Sequence, residues 1–269
     1  MSYLSLNFFS AALNFRTEVK VVLPEYPAQR MASVERQSAY DKSLKFPVVY
    51  LLHGFTGDHS DWFTMIPIER YAQEYGFAVV MPHGYNSWYL NEPRGAKVED
   101  FLFDELPAAM EAMLPISDRP EERFIAGLSM GGMGAVHTAL NHPECFRAMA
   151  SASAVLSYQR LFEQYENGTP DDLRMLETLA YATGERTIPD MDALYLKREQ
   201  QGGHIPPHLC LFGRQDEMYA DQYLWFKAFA AENRLPVETD EWDGGHDFLF
   251  WDPAVRRMLA WFKQQMNLA

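Results

Sequence analysis

Short apolar runs alternate with amphipathic stretches from residue 48 to the C-terminal end of the chain. Such continuous runs are typical of strands buried on both faces of a sheet. They are VVYLL (48–52), FAVVM (77–81), FIAGL (124–128), AMASAS (148–153) and LCLFG (209–213), with VETDEW (237–242) as a more polar candidate. Helical patterns lie between them, near 67–75, 100–113, 130–140, 219–233 and 253–266. This alternation predicts a mostly parallel sheet with helices on both faces.

Three segments depart from this rhythm. LSLNF (4–8) and VKVVL (19–23) alternate apolar and polar residues, which predicts an antiparallel strand pair at the N-terminus. Residues 25–46 are polar and irregular, so we expect an exposed loop there. Residues 157–208 carry polar helical patterns without a convincing strand, and we expect them to form a small helical cap. The prediction is one α/β domain over 1–269 with this cap as an insertion.

Composition and charge narrow the functional classes. The chain has 269 residues, of which 48% are hydrophobic and 14% aromatic, so it has enough core material to fold. The net charge of −14 argues against nucleic acid and anionic membranes as partners. We expect no membrane span and, because the N-terminus lacks the basic region of a signal peptide, a cytoplasmic protein. The two cysteines, Cys145 and Cys210, are expected to be reduced and to bind no metal.

The segment Gly127–Gly131 reads G-x-S-x-G directly after one apolar run and before a helical pattern. This is the nucleophile-elbow pattern in its strand–turn–helix context, with Ser129 as the candidate nucleophile. The glycines are needed because side chains there would collide with the strand and helix. Chance produces the pattern about once in ten chains of this length, so the alternative is an incidental serine in a glycine-rich turn. The context favours the nucleophile.

A second candidate loop, His53-Gly54-Phe55, follows the run VVYLL. In a fold with a nucleophile elbow, this loop donates one backbone N–H to the oxyanion, and the residue after the nucleophile donates the other. The predicted oxyanion hole is therefore the N–H groups of Phe55 and Met130. We expect His53 to hold the loop through hydrogen bonds rather than to act as a base.

The chain order in this fold is serine, then Asp or Glu, then histidine, which leaves His204, His208 and His246 as candidates for the base. His204 and His208 flank two prolines just before a strand and are expected to be cap or loop residues. His246 follows Gly244 and Gly245, between the last predicted strand and the last predicted helix. The sequence therefore favours His246 as the general base.

The acid that orients the base should follow the run LCLFG. Asp216 lies on that loop, with Glu217 and Asp221 as rivals. Its role would be to fix the tautomer of the imidazole and to stabilise the imidazolium. Asp243 and Asp247 are expected to be loop and helix-cap residues.

These segments together resemble the putative-esterase branch of the α/β-hydrolases, which includes S-formylglutathione hydrolase and feruloyl and acetylxylan esterases. The motifs are HGFTGDHSDW (53–62), GLSMGGMGA (127–135), FGRQDEMY (212–219) and GGHDFLFWD (244–252). The chain is most similar to bacterial tributyrin-type esterases, on NFFSAALN (7–14), SWY (87–89) and DELP (104–107). The resemblance implies an often oligomeric serine hydrolase of short-chain acyl esters, with Ser129, Asp216 and His246 in the triad positions.

The expected activity is hydrolysis of short-chain acyl esters, acetyl to butyryl, through an acyl-enzyme without metal or organic cofactor. The expected partners are a small-molecule ester and further copies of the chain, as a dimer or tetramer. S-formylglutathione hydrolase is the first alternative, and a deacetylase or feruloyl-type esterase of sugar substrates is the next. An acyltransferase would keep the same triad. A catalytically inactive binding module is disfavoured because serine, acid, base and oxyanion loop all occur.

Trp62, Trp88 and Tyr89 lie on loops at the carboxyl ends of predicted strands, where ligands bind in open α/β sheets. They are tentative substrate-binding residues. The alternative is that their rings pack the loops.

Overall fold

A computed structural model describes residues 2–25, 44–183 and 190–267, which form an eight-stranded sheet of order β1-β2-β4-β3-β5-β6-β7-β8. Only the pairs β1–β2 and β2–β4 are antiparallel within these residues. The strands are β1 Ser2–Ser10, β2 Phe15–Leu23, β3 Val48–Leu52, β4 Ala78–Pro82, β5 Arg123–Leu128, β6 Ala148–Ala152, β7 His208–Gly213 and β8 Val237–Trp242. The predicted mostly parallel sheet with an N-terminal antiparallel pair is confirmed.

Burial explains why the apolar runs identified the central strands. Every residue of β3 to β7 is buried, whereas β8 alternates between half-buried and exposed positions because it is an edge strand. Neighbouring residues of β3 face opposite sides of the sheet. Tyr50 packs into one apolar layer, and Val49 and Leu51 pack into the other.

Ten α-helices surround the sheet in the described part of the chain. They are α1 Asp61–Thr64, α2 Ile68–Tyr75, α3 Val98–Asp100, α4 Leu106–Met113, α5 Met130–Asn141, α6 Tyr158–Tyr165, α7 Pro170–Thr183, α8 Met191–Gln200, α9 Ala220–Glu232 and α10 Phe248–Asn267. The helices α4, α5 and α9 cover one face of the sheet, and α2 and α10 cover the other. The carboxyl ends of the parallel strands therefore open onto loops at one edge.

Two helices differ from their sequence predictions. The helix expected at 100–113 contains a wider π turn, Phe101–Glu105, between α3 and α4. Pro107 follows this turn and has no N–H to donate, so the wider turn accommodates the lost bond. The helix expected at 253–266 begins at Phe248 instead, because the Asp247 carboxylate accepts the N–H groups of Leu249 and Phe250 at its start.

Three helices, α6 to α8, lie between β6 and β7, in the segment expected to be a cap. Most of the loop expected at 25–46 lies outside the described residues. Cys210 is buried, Cys145 is half-buried, and both are free thiols. No helix in the described part of the chain is long and apolar enough to span a membrane.

Candidate active site

Ser129 lies on a sharp turn between β5 and α5, with φ 51° and ψ −121°. A positive φ is strained for a serine, so the surrounding structure must enforce it. The Ser129 N–H donates to the Ala152 carbonyl at 2.9 Å. A Cβ on Gly131 would lie 2.5 Å from the His53 carbonyl oxygen and closer still to that of Leu52. Only glycine at this position lets the helix pack so tightly that the serine hydroxyl is lifted above the sheet.

Three side chains from separate loops form one hydrogen-bonded chain. The His246 ring places Nδ1 2.8 Å from the Asp216 carboxylate and Nε2 3.1 Å from the Ser129 hydroxyl. Because a carboxylate only accepts, Nδ1 carries the proton and Nε2 is left to accept from the serine. Asp216 is 1% exposed, which keeps its charge away from bulk water. The structure thus brings together the three residues that the sequence favoured.

Two aromatic rings contact the His246 imidazole. Tyr219 and Trp251 meet it nearly perpendicularly, at centroid distances of 5.2 and 4.9 Å. The Trp251 indole is itself fixed, since Nε1 donates to the Ser153 hydroxyl at 3.2 Å. Burial raises the pKa of Tyr219 well above its ordinary value, so this phenol stays neutral. Neither ring was expected from the sequence, although both belong to the same segments as Asp216 and His246.

The loop 53–55 lies directly against the nucleophile. A Cβ on Gly54 would be 3.6 Å from the Ser129 Cβ, so the loop that carries Phe55 passes close to the serine. Met130 is the first residue of α5, and its N–H therefore has no partner within the helix. The oxyanion hole formed by these two N–H groups stays a prediction.

His53 holds this loop from behind, as expected. Its Nε2 accepts the Gly84 N–H at 2.9 Å, its Nδ1 donates to the Gly54 carbonyl at 2.8 Å, and its own carbonyl accepts the Tyr89 hydroxyl at 3.0 Å. Burial lowers the pKa of His53 to about 4. The ring is therefore neutral at pH 7, with both nitrogens engaged.

An active-site cavity of about 470 Å³ opens above Ser129 and His246. Its walls are mostly apolar, and Asp61 contributes the only carboxylate among the described lining residues. Burial raises the pKa of the Asp61 carboxyl. The other lining residues are Gly54, Phe55, Thr56, Gly57, Leu128, Met175, Met218, Tyr219, Phe248 and Trp251. In the described part of the chain, no group of three or more His, Cys, Asp or Glu side chains could hold a metal ion.

Comparison with known proteins identifies the family of this chain. The sequence model described as "Putative esterase" matches residues 10–262. The chain belongs to the putative esterase family. An acetyl esterase of Caldicellulosiruptor saccharolyticus is 28% identical over 98% of this chain and 99% of its own length. The protein is thus a carboxylic ester hydrolase.

Solved structures of serine hydrolases share the fold of this esterase. A fluorophosphonate-binding serine hydrolase of Staphylococcus aureus superposes with a TM-score of 0.82 at 26% identity, over 97% of this chain and 98% of that one. The S-formylglutathione hydrolase of the same organism gives a TM-score of 0.80 at 28% identity, again over 97% and 98%. The architecture is the α/β-hydrolase fold.

A second serine–histidine pair in this esterase is structural. The Ser151 hydroxyl and the Tyr195 hydroxyl each lie 2.8 Å from one nitrogen of the His208 ring. All three side chains are fully buried, and burial alone lowers the pKa of His208 to about 3. Within the described residues, no carboxylate contacts this ring. The pair links β6, β7 and α8 and does not reach the cavity.

The three aromatic residues proposed for substrate binding pack inside the esterase. Trp62, Trp88 and Tyr89 are each at most 1% exposed, and the described cavity lining does not include them. Trp88 lies behind Phe55 with the ring centroids 5.8 Å apart, and its Nε1 donates to Thr178 at 3.1 Å. These positions favour the alternative that the rings pack the loops. Trp88 therefore supports the cavity wall by packing against Phe55, without lining the cavity itself.

Proposed function

We propose that the protein is a serine carboxylesterase in which Ser129, His246 and Asp216 form the catalytic triad. The observation that carries this proposal is the hydrogen-bonded chain from Asp216 through His246 to Ser129 at the base of an open cavity. Nucleophile, base and orienting acid are already within reach of one another, which is the arrangement that acyl transfer requires.

The arrangement of Ser129, His246 and Asp216 supports the following mechanism. The Ser129 hydroxyl attacks the ester carbonyl while Nε2 of His246 takes its proton, and the Asp216 carboxylate stabilises the resulting imidazolium. The N–H groups of Phe55 and Met130 would bind the tetrahedral oxyanion. His246 then protonates the leaving alcohol. Water activated by the same nitrogen hydrolyses the acyl-enzyme and regenerates the serine.

Short acyl chains are the proposed substrates. The cavity walls next to Ser129 are apolar, with Phe55, Met175 and Met218 available to surround a small acyl group. Similarity to an acetyl esterase over nearly the whole chain supports the same substrate class. Similarity to an S-formylglutathione hydrolase keeps its thioester as the second candidate substrate.

We further propose that α6 to α8 act as the cap of a single-domain enzyme. Met175 of α7 lines the cavity, and Thr178 of the same helix accepts the Trp88 indole N–H. The cap thus supplies one wall and is tied to the loop after β4.

Homo-oligomerisation and a cytoplasmic location stay predictions. Edge strand β1 exposes half or more of Tyr3 and Phe9, which makes it a surface on which copies could pair. Sedimentation velocity would detect such an oligomer. A single monomeric species at micromolar concentration would contradict it.

The first test is hydrolysis of p-nitrophenyl esters from acetate to octanoate, with S-formylglutathione in parallel. We expect cleavage of the short esters and loss of several orders of magnitude in kcat for Ser129→Ala. The matched control is Ser151→Ala, which removes the serine of the buried pair and should leave kcat within a few fold. A dominant thioester activity would favour the second candidate. An active Ser129→Ala enzyme would refute the triad.

A further inference from the structure

Tyr219 lies beside the candidate nucleophile as well as the candidate base. Its side chain lines the active-site cavity, and its ring meets the His246 imidazole nearly perpendicularly, with the centroids 5.2 Å apart. Burial raises the pKa of the Tyr219 phenol, and a hydrogen bond with the Ser129 side chain opposes part of that increase. The phenol hydroxyl is therefore close to both groups between which the proton moves.

The loop that carries Tyr219 is fixed to the loop that carries His246. The Gln215 N–H donates to the Gly244 carbonyl at 2.9 Å, and the Gly244 N–H donates back to the Gln215 side-chain oxygen at 2.6 Å. At the other end of the first loop, the Tyr219 carbonyl accepts the Tyr223 N–H at 3.0 Å, in the first turn of α9. Contacts at both ends give the phenol a preformed position.

The Tyr219 hydroxyl is available to a substrate. The other ring that contacts His246, Trp251, already uses its N–H to donate to the Ser153 hydroxyl. Within the residues that the structure describes, no carbonyl or carboxylate accepts a hydrogen bond from Tyr219 in this way. Because the raised pKa keeps the phenol protonated at neutral pH, it can act as an uncharged hydrogen-bond donor.

The leaving-group oxygen of a bound ester must lie close to the same groups. In the proposed mechanism this oxygen is protonated by Nε2 of His246, which is 3.1 Å from the Ser129 hydroxyl. In the tetrahedral intermediate it is bonded to the same carbon as the serine oxygen, so it lies next to that oxygen and to Nε2. The predicted oxyanion donors, in contrast, belong to the loop 53–55 and to the start of α5. The Tyr219 hydroxyl therefore borders the position of the leaving group.

We propose that the Tyr219 hydroxyl donates a hydrogen bond to the leaving-group oxygen while His246 transfers its proton to that oxygen. This proposal rests on the proposed esterase function and concerns the alcohol portion of the substrate. Negative charge develops on the oxygen as the C–O bond breaks, and a fixed donor stabilises it. The phenol keeps its own proton, and the alcohol leaves with the proton from His246. The benefit is greatest for aliphatic alcohols, because their alkoxides are strongly basic.

The test compares ethyl acetate with S-ethyl thioacetate, which differ only in the leaving atom. A thiolate is less basic than an alkoxide, and sulfur accepts hydrogen bonds only weakly. For Tyr219→Phe, which keeps the ring, we expect kcat/KM for ethyl acetate to fall about ten-fold relative to kcat/KM for the thioester. Tyr223→Phe is the matched control, because both tyrosines are 2% exposed but Tyr223 is outside the described cavity lining. Its ratio should equal that of the wild type.

A series of acetate esters separates this role from a structural one. From p-nitrophenyl acetate to ethyl acetate, log kcat/KM plotted against the pKa of the leaving alcohol should decline more steeply in Tyr219→Phe than in the wild type. Parallel lines would overturn the proposal at any level of activity, since a displaced His246 or a lost donor to the oxyanion would slow all esters alike. A wild type inactive on every ester would refute the esterase function itself, whereas an active wild type with parallel lines would refute the role of Tyr219 alone.

Discussion

The Asp216 carboxylate sets the protonation pattern on which Ser129 depends. It is buried and bonds His246 Nδ1, so it selects the tautomer with a free Nε2. We expect Asp216→Asn to keep the fold and lower kcat about 10⁴-fold, since an amide that donates to Nδ1 would select the wrong tautomer. Ester hydrolysis assays with circular dichroism would measure both effects.

Asp243 offers the matched control for that substitution. It lies on the same loop as His246 but its side chain is 80% exposed, in an ion pair with Arg214. Such exposed pairs contribute little, so Asp243→Asn should change kcat less than two-fold. Comparable losses in the two variants would mean that overall charge, rather than the hydrogen bond to His246, is what matters.

Individual residues of the site differ in how far the sequence could predict them. Ser129 and His246 were predictable because each lies in a glycine-containing loop at a fixed place in the strand order. Trp251 and Tyr219 were not, because aromatic residues fill cores far more often than they flank a catalytic base. Trp62 and Trp88 were misleading for the same reason, since a position at a strand end does not show whether a ring faces the cavity or the core.

Helix α7 contributes one wall of the active-site cavity, which the sequence pattern of this segment does not predict. Met175 lines the active-site cavity, whereas Leu176 and Leu179 of the same helix are buried. We expect Met175→Ala to lengthen the acyl-binding space and to raise the octanoate-to-acetate ratio of kcat/KM about ten-fold. Hydrolysis of a p-nitrophenyl ester series would measure the ratio.

Met113 provides the comparison for that prediction. It is a half-exposed methionine at the end of α4, away from the cavity lining. Met113→Ala should leave the acyl-chain profile unchanged. A Met175→Ala profile identical to that of the wild type would show that α7 does not limit chain length and would count against the proposed cap.

The exact ends of the helices could not be predicted from the pattern of apolar residues. The apolar periodicity located every central strand and most helices to within a few residues. It placed the start of α10 near residue 253, whereas the Asp247 side chain starts it at Phe248. The π turn before Pro107 likewise depends on backbone geometry, which the pattern of apolar residues does not encode.

The stability of the whole molecule should depend on pH through its buried histidines. Burial lowers the pKa of His53 to about 4 and that of His208 to about 3, from an ordinary value of 6.5. Burial also lowers the pKa of His83 and His137. In the unfolded chain these rings would take up protons below pH 6.5, whereas in the folded protein they would stay neutral. Acid therefore favours unfolding, and the stability present above pH 6.5 is lost as pH falls towards 3.

At pH 5 the lowered pKa of each of His53 and His208 reduces the free energy of unfolding by about 2 kcal/mol relative to neutral pH. Urea unfolding at pH 7.5, 6 and 5 would measure it as a falling free energy of unfolding. His208→Gln should be less stable than the wild type at pH 7.5, because the Ser151 and Tyr195 hydroxyls lose their shared partner, yet its decline to pH 5 should be shallower by about 2 kcal/mol. His204→Gln, at an exposed histidine, should follow the wild-type curve. Parallel declines in all three proteins would show that His208 does not carry the acid sensitivity, and the carboxylates of this acidic chain would then have to account for it.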